Sequence, residues 1–270
     1  MRRGDWCGTS RTSCTRRASG RGGTETRISR INTNQNIHEP RLAEELEPPH
    51  VGCYERKIMK HIVFDIETIP QDEARLLALA PEFTAAANLK DPEKIAASIA
   101  KKRADYLADA ALNWKTAEVV LIGAGDDTEI QSLTANTEKE LIGNFLTLLG
   151  EALADGVAAG GHNVKGFDLP MLVNRARVHG LKIPPTVLSF WKGRPTWHDY
   201  VFDTLEILSF GKSFDGNGVD DVARVFGLPP KLGHGGDFPL LWRADREGAL
   251  AYNRRDVEIE IEIARICGVI

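Results

Sequence analysis

The stretch KHIVFDIETIP, Lys60–Pro70, has the apolar content of a buried strand, yet it carries two acids, Asp65 and Glu67. Side chains alternate across a strand, so these carboxylates share one face while Phe64 and Ile66 share the other. Two like charges at that spacing repel, and burying either is costly. A multivalent cation between them resolves the conflict, since hard divalent ions prefer carboxylate oxygens. An edge strand with one polar face accounts for the same pattern without a metal, so the stretch needs further acids before it means a site.

Two more stretches supply them. GGHNVKGFDLP, Gly160–Pro170, sets Asp168 just after a short apolar run and at the start of a helical pattern. Asp is a favoured helix N-cap and Pro170 suits a first turn, so a capping role explains Asp168 as well as a ligand role does. In AYNRRDVEIEIEIARI, Ala251–Ile266, Tyr252 and Asp256 stand four apart, on one face if the segment is helical. Val257, Ile259, Ile261 and Ile263 alternate with Glu258, Glu260 and Glu262, which is a strand signature. Tyr252, Asp256, Ile259, Ile263 and Ile266 step by four and three, which is a helical one. The pairs Arg254–Glu258 and Glu262–Arg265 fit a helix too. Periodicity leaves both forms open.

Composition bounds the answer. The 270 residues are 42% hydrophobic and 27% charged, enough for one good core or two small ones. No apolar run is long enough to span a membrane, and no secretory apolar segment opens the chain. Cys7, Cys14, Cys53 and Cys267 form no CxxC pair and no zinc spacing, which points to a reducing, cytoplasmic setting without a disulfide framework. Residues 1–58 carry 11 Lys/Arg against 7 Asp/Glu, and the remainder 23 against 31. A body with that acidic excess is a poor wrapper of duplex nucleic acid, but it can act on a chain end if it brings its own cations.

Residues 1–58 have little apolar content and no period, and the chain from Met59 enters its first strand at once. The leading segment is expected to be disordered: a nucleic-acid-binding arm, a transit peptide or an over-extended start. Asp91-Pro92 marks a helix start, with helix to about Ala111. AEVVLIGAG (117–125) and EIQSLTA (129–135) read as strands. Thr137 and Glu140 form a capping box before a helix, GVAAGGHN holds a short strand, and a helix from Asp168 ends at Gly180. YVFDTLEILSF (200–210) and GVDDVARVFGL (218–228) read as helices, with Asp203 and Asp220 as caps. This order suits an α/β layer with a mixed sheet.

FDIET, HNVKGFD and YNRRD, in that order, resemble the three signatures of the DEDD superfamily of 3′–5′ exonucleases. The tyrosine of the third points to the DEDDy branch. The likeness is greatest to the proofreading exonuclease domain of family-B DNA polymerases and its stand-alone relatives, and FDTLEIL and DDVARVFGLPPK add to it. It spans about Met59 to Ile270. It implies a ribonuclease H-like α/β fold, a central mixed sheet flanked by helices, with the last segment helical.

The resemblance also implies a site. Asp65, Glu67, Asp168 and Asp256 would hold two Mg²⁺ or Mn²⁺ ions, about 3.5–4 Å apart in such sites. Asp65 would bridge both, Glu67 and Asp256 would complete the ion that activates water, and Asp168 would serve the other. Tyr252, a phenol with a pKa of about 10, would aim the water as an orienter and not as a base. Asn163, Thr68 and His162 are candidate substrate contacts. Phe167 is a weaker one, better explained as core, and Lys165, Arg194 and His198 are possible phosphate contacts. The implied activity releases nucleoside 5′-monophosphates from the 3′ ends of single strands, DNA in preference and in a repair setting. Rival readings are an exoribonuclease and a silent nucleic-acid-binding module. The segment 71–114 is longer than the usual proofreading core provides there. It is expected to be a helical insertion, serving as a lid or as a surface for self-association or a polymerase.

Overall fold

The acid-bearing stretch forms β1, His61–Pro70, in a computed structural model that describes residues 61–189, 200–211 and 218–270. The expectations for residues 1–58, Arg194 and His198 lie outside the described residues. Within 71–114 follow α1 (Glu73–Leu79), α2 (Pro92–Ala108) and a 3₁₀ turn, Asp109–Leu112. Asp91 caps α2 by accepting from the Glu93 N–H, with Pro92 in the first turn. Then come β2 (Ala117–Gly125), β3 (Ile130–Leu133), α3 (Glu138–Ala154), β4 (Ala158–Gly161) and α4 (Asp168–Val178). The chain continues through α5 (Pro185–Ser189), β5 (Val201–Asp203), α6 (Thr204–Leu208), α7 (Val219–Phe226), α8 (Phe238–Ala244) and α9 (Arg246–Ile266).

The five strands form one mixed sheet in the order β3-β2-β1-β4-β5. β1 pairs antiparallel with β2 and parallel with β4; β2–β3 is antiparallel and β4–β5 parallel. This is a ribonuclease H-like α/β arrangement. Alternation along β1 divides the core. Ile62, Phe64 and Ile66 pack with Leu141, Phe145 and Leu149 of α3 and Leu169 and Leu172 of α4. Val63, on the opposite face, packs with Val257 and Ile261 of α9.

Helix α9 resolves the ambiguity of its sequence. It buries several faces at once, so its apolar residues need not form a single stripe. Val257 and Ile261 meet the sheet, Ile259 and Ile263 meet Val222 and Ala223 of α7, and Ala249 and Tyr252 meet Phe238 and Trp242 of α8. Two adjacent apolar faces on one helix mimic the alternation of a strand.

Three local expectations are corrected. YVFDTLEILSF is not helical throughout: Val201–Asp203 is a buried strand on the free edge of β4, and Asp203 caps only the short α6 that follows. Asp168 is the first residue of α4 and not its cap, which is Phe167. Asp220 lies in the first turn of α7 behind the cap residue Gly218.

The sheet is irregular where the acids stand. Glu67 pairs with Leu121 and Thr68 with Val119, so Val120 is an extra residue on β2. This bulge lets both Val120 and Leu121 pack in the cluster that contains Tyr252.

Candidate active site

Asp65 and Glu67 project from the β1 face that α9 covers. Asp65 pairs in register with Gly123 of β2, and a Cβ at Gly123 would stand 2.3 Å from Asn253 Oδ1. Glycine therefore lets α9 approach closely enough for Asn253 Nδ2 to donate to Asp65 Oδ2 at 3.0 Å. Asp256 follows Asn253 by three residues on the same helix. One carboxylate oxygen from each of Asp65, Glu67 and Asp256 lies within 4.8 Å of the others.

Asp168 enters from the other side. β4 accompanies β1 only over His61–Val63, and beyond it the Ile66 N–H donates to Asp168 Oδ1 at 3.0 Å. Its carboxylate is thus held beside β1, where burial and then the charge of Asp65 oppose its ionisation.

These groups are strained electrostatically. Burial, then the charge of Asp256, pushes the Asp65 carboxyl up to about 7. Burial and the charge of Asp65 raise Glu67 and Asp168 well above the ordinary carboxylate range. Asp256 is raised by burial against the opposing pull of Lys231. Burial disfavours charge on the Lys231 ammonium, but Asp256 overrides it and raises the pKa. Lys231 Nζ lies 2.7 Å from Asp256 Oδ2 and 5.5 Å from the centre of the Tyr252 ring. The loop after α7 that carries Lys231 also brings Gly233 beside that ring and Gly235 beside its hydroxyl.

Tyr252 is almost fully buried, packed against Phe238 with ring centres 5.8 Å apart. Its hydroxyl makes no hydrogen bond of full geometry among the described residues, but it stands close enough to Asp256 and Lys231 to interact with both. Burial, then the charge of Asp256, raises its pKa, so the phenol stays protonated at neutral pH.

Residues 105–258 match the family described as predicted 3′–5′ exonucleases related to the exonuclease domain of PolB. The chain belongs to that family. The matched span contains Asp168, Tyr252 and Asp256 and begins after β1, so Asp65 and Glu67 stand outside it. A similar solved structure is the family B DNA polymerase from the hyperthermophilic archaeon Pyrobaculum calidifontis, at 18% identity and a TM-score of 0.47. That match covers 76% of this chain and 24% of the polymerase chain, so the chain spans about a quarter of the polymerase's length. No curated protein matches.

In this exonuclease-family chain the expected substrate contacts fare unevenly. Thr68 Oγ1 donates to the Ala111 carbonyl at 2.7 Å, tying β1 to the segment 71–114. His162 is buried, with Nδ1 2.9 Å from Thr204 Oγ1. Asn163 takes a left-handed backbone, φ 65°, and its N–H donates to Asp203 Oδ1. The Lys165 N–H donates to the other Asp203 oxygen, and Lys165 Nζ pairs with Glu206. Phe167 packs against the α3–α4 core. Asp203 therefore fixes the loop that leads to Asp168 as well as capping α6.

Sequence reasoning missed Lys231, Asn253 and Glu260. Asn253 follows the motif tyrosine directly, and its place beside Tyr252 was the available signal. Lys231 sits in a Pro- and Gly-rich loop, PPKLGHGG, at the end of the stretch DDVARVFGLPPK that counted only toward the family likeness. Glu260 is hidden in the Glu/Ile alternation. In the fold it is 2% exposed.

Proposed function

We propose that this chain is a 3′–5′ exonuclease that hydrolyses nucleic acid from the 3′ end to nucleoside 5′-monophosphates with two Mg²⁺ or Mn²⁺ ions. The observation that carries the reading is the convergence of Asp65, Glu67 and Asp256 within 4.8 Å, with the Lys231 ammonium at hydrogen-bond distance from Asp256. Buried acids in such numbers need positive charge, and Asp256 Oδ1 has no partner among the described residues. Lys231 already stands in for part of that charge. All-oxygen donors suit Mg²⁺ and Mn²⁺. The donor set therefore fits divalent cations.

Asp65, Glu67 and Asp256 would hold one ion, and Asp65 and Asp168 the other. Bound there, such ions supply Lewis-acid charge at the scissile phosphate. Asn253 keeps the Asp65 carboxylate turned toward the site through its amide hydrogen bond. Tyr252, protonated and with its hydroxyl beside Asp256, donates a hydrogen bond that orients the attacking water. The proton leaves to solvent or to a carboxylate of the cluster. Attack at the terminal phosphodiester forms a bond from the water oxygen to phosphorus and breaks the P–O3′ bond, leaving the phosphate on the released 5′-mononucleotide, while the departing O3′ takes up a proton from solvent to become the new 3′-OH of the strand. We take DNA as the preferred substrate because the family is related to a polymerase exonuclease domain. The catalytic unit is taken to run from about residue 59 to 270, with 71–114 inserted into it.

The test is product analysis on single strands labelled at the 3′ or 5′ end, DNA beside RNA, with Mg²⁺. Mononucleotides released from the 3′ label at once, with a descending ladder from the 5′ label, support the proposal. Faster RNA decay moves it to an exoribonuclease, and binding without cleavage moves it to a silent module. Cleavage that survives Asp65→Asn or Asp256→Asn refutes the two-ion site.

A further inference from the structure

Glu260 lies one helical turn beyond Asp256 on α9, and its side chain runs down to the seam between β1 and β4. It is 2% exposed, and Oε2 has no hydrogen-bond partner among the described residues. The backbone N–H of His162 serves its carboxylate. The room for it comes from Gly161: a Cβ there would stand 2.7 Å from Glu260 Oε2 and 2.6 Å from the Phe64 carbonyl oxygen. Any side chain at 161 would displace the acid or split the strands, so the close packing of this glycine accommodates a buried carboxylate.

The charges that bear most on Glu260 are Asp65, Asp168 and Asp256, all negative. A buried acid facing three others is unfavourable unless cations arrive. With Glu260 counted, five carboxylates, once all are ionised, and the Lys231 ammonium would carry a net charge of minus four, the charge that two divalent cations neutralise. Without it the pocket is one negative charge short.

We infer that Glu260 is a fifth acid of the cation site, a positioning residue whose charge strengthens binding of the cation held between Asp65 and Asp168 without ligating it. The three-oxygen group within 4.8 Å consists of Asp65, Glu67 and Asp256 and does not include Glu260, whose carboxylate sits against Gly161 and acts on the site by its charge. This inference rests on the two-cation reading above. It assigns the role to a residue outside the four motif acids.

The experiment is calorimetric titration of Mn²⁺ into the full chain, wild type against Glu260→Gln, paired with thermal unfolding in EDTA. Gln keeps the shape and an acceptor for the His162 N–H but removes the charge. The expected result is two Mn²⁺ events in the wild type. In E260Q the weaker event is loosened by about tenfold or more, as for groups just outside a metal's ligands, and the tighter event changes less than threefold. In EDTA the E260Q protein melts at a higher temperature than the wild type, because a buried repulsion is gone. Glu260→Asp, which retains the charge, keeps Mn²⁺ affinity nearer the wild type than E260Q does. Unchanged Mn²⁺ affinity in E260Q, with or without a fall in melting temperature, overturns the inference and makes Glu260 a purely structural tie. A wild type that binds no Mn²⁺ at all takes the two-cation reading down with it, which separates the two failures.

Discussion

Asp65→Asn should stabilise the ion-free protein at alkaline pH while abolishing its response to metal. The Asp65 carboxyl is held at about 7 against an ordinary 3.8, so keeping it ionised in the fold is unfavourable. That interval corresponds to a ceiling of roughly 4 kcal/mol. Because folded Asp65 binds its proton more tightly than unfolded Asp65, the penalty is complete above pH 7, shrinks as pH falls, and is gone below about pH 4. Glu67 and Asp256 share the same repulsion and take up protons in its place. The expected gain for D65N at pH 8 is therefore about 2 kcal/mol, a rise in Tm of roughly 4–8 °C for a chain of this size. Asn retains an acceptor for the Asn253 amide, so the packing of α9 on β1 is not the variable. The assay is urea unfolding in EDTA at pH 5 and pH 8, repeated with millimolar Mn²⁺. Wild type should gain stability from Mn²⁺ and D65N should not. A D65N protein less stable than wild type at pH 8 in EDTA, or offset equally at both pH values, would refute the electrostatic account.

Three further outcomes are expected. Lys231→Met removes the ammonium from Asp256, so the ion-free protein should lose stability by about 1–3 kcal/mol while Mn²⁺ binds more tightly, both read by melting with and without the ion. Tyr252→Phe removes a hydroxyl whose protein interactions, with Asp256 and Lys231, are not hydrogen bonds of full geometry, so stability should change by no more than about 1 kcal/mol while kcat falls on the order of tenfold to a hundredfold, with Mn²⁺ affinity little changed by calorimetry. Gly123→Ala should force Asn253 off Asp65, costing about 1–3 kcal/mol in denaturant unfolding and weakening Mn²⁺ binding.

The sequence carried the sheet and the acids because both obey local rules. The β2 limits followed from an apolar run closed by glycine, and the Asp91 and Thr137 caps from side chains that bond their own backbones. β5 escaped because three residues are too few for a period and they run directly into a capped helix. The Asp168 carboxylate read equally well as a cap because its true partner, the Ile66 N–H, lies 102 residues away. Lys231 and Glu260 escaped for the same reason. Their meaning comes from what α9 is pressed against, and no window on the chain contains both sides of that contact. The alternating register of α9 was misleading only until its two apolar faces could be assigned to different neighbours.

The hydrogen bond between Asn253 and Asp65 joins residues 188 positions apart. Closing so wide a loop is expected late in folding, since the entropy of bringing the ends together is recovered only when the contacts between them form. A chain emerging from the ribosome, or caught half-refolded, would thus hold its acids on separate pieces, with the pocket not yet assembled. On the proposed reading, the chain would be harmless to nucleic acid until its topology is complete, and regain of Mn²⁺ binding during refolding would mark the final step.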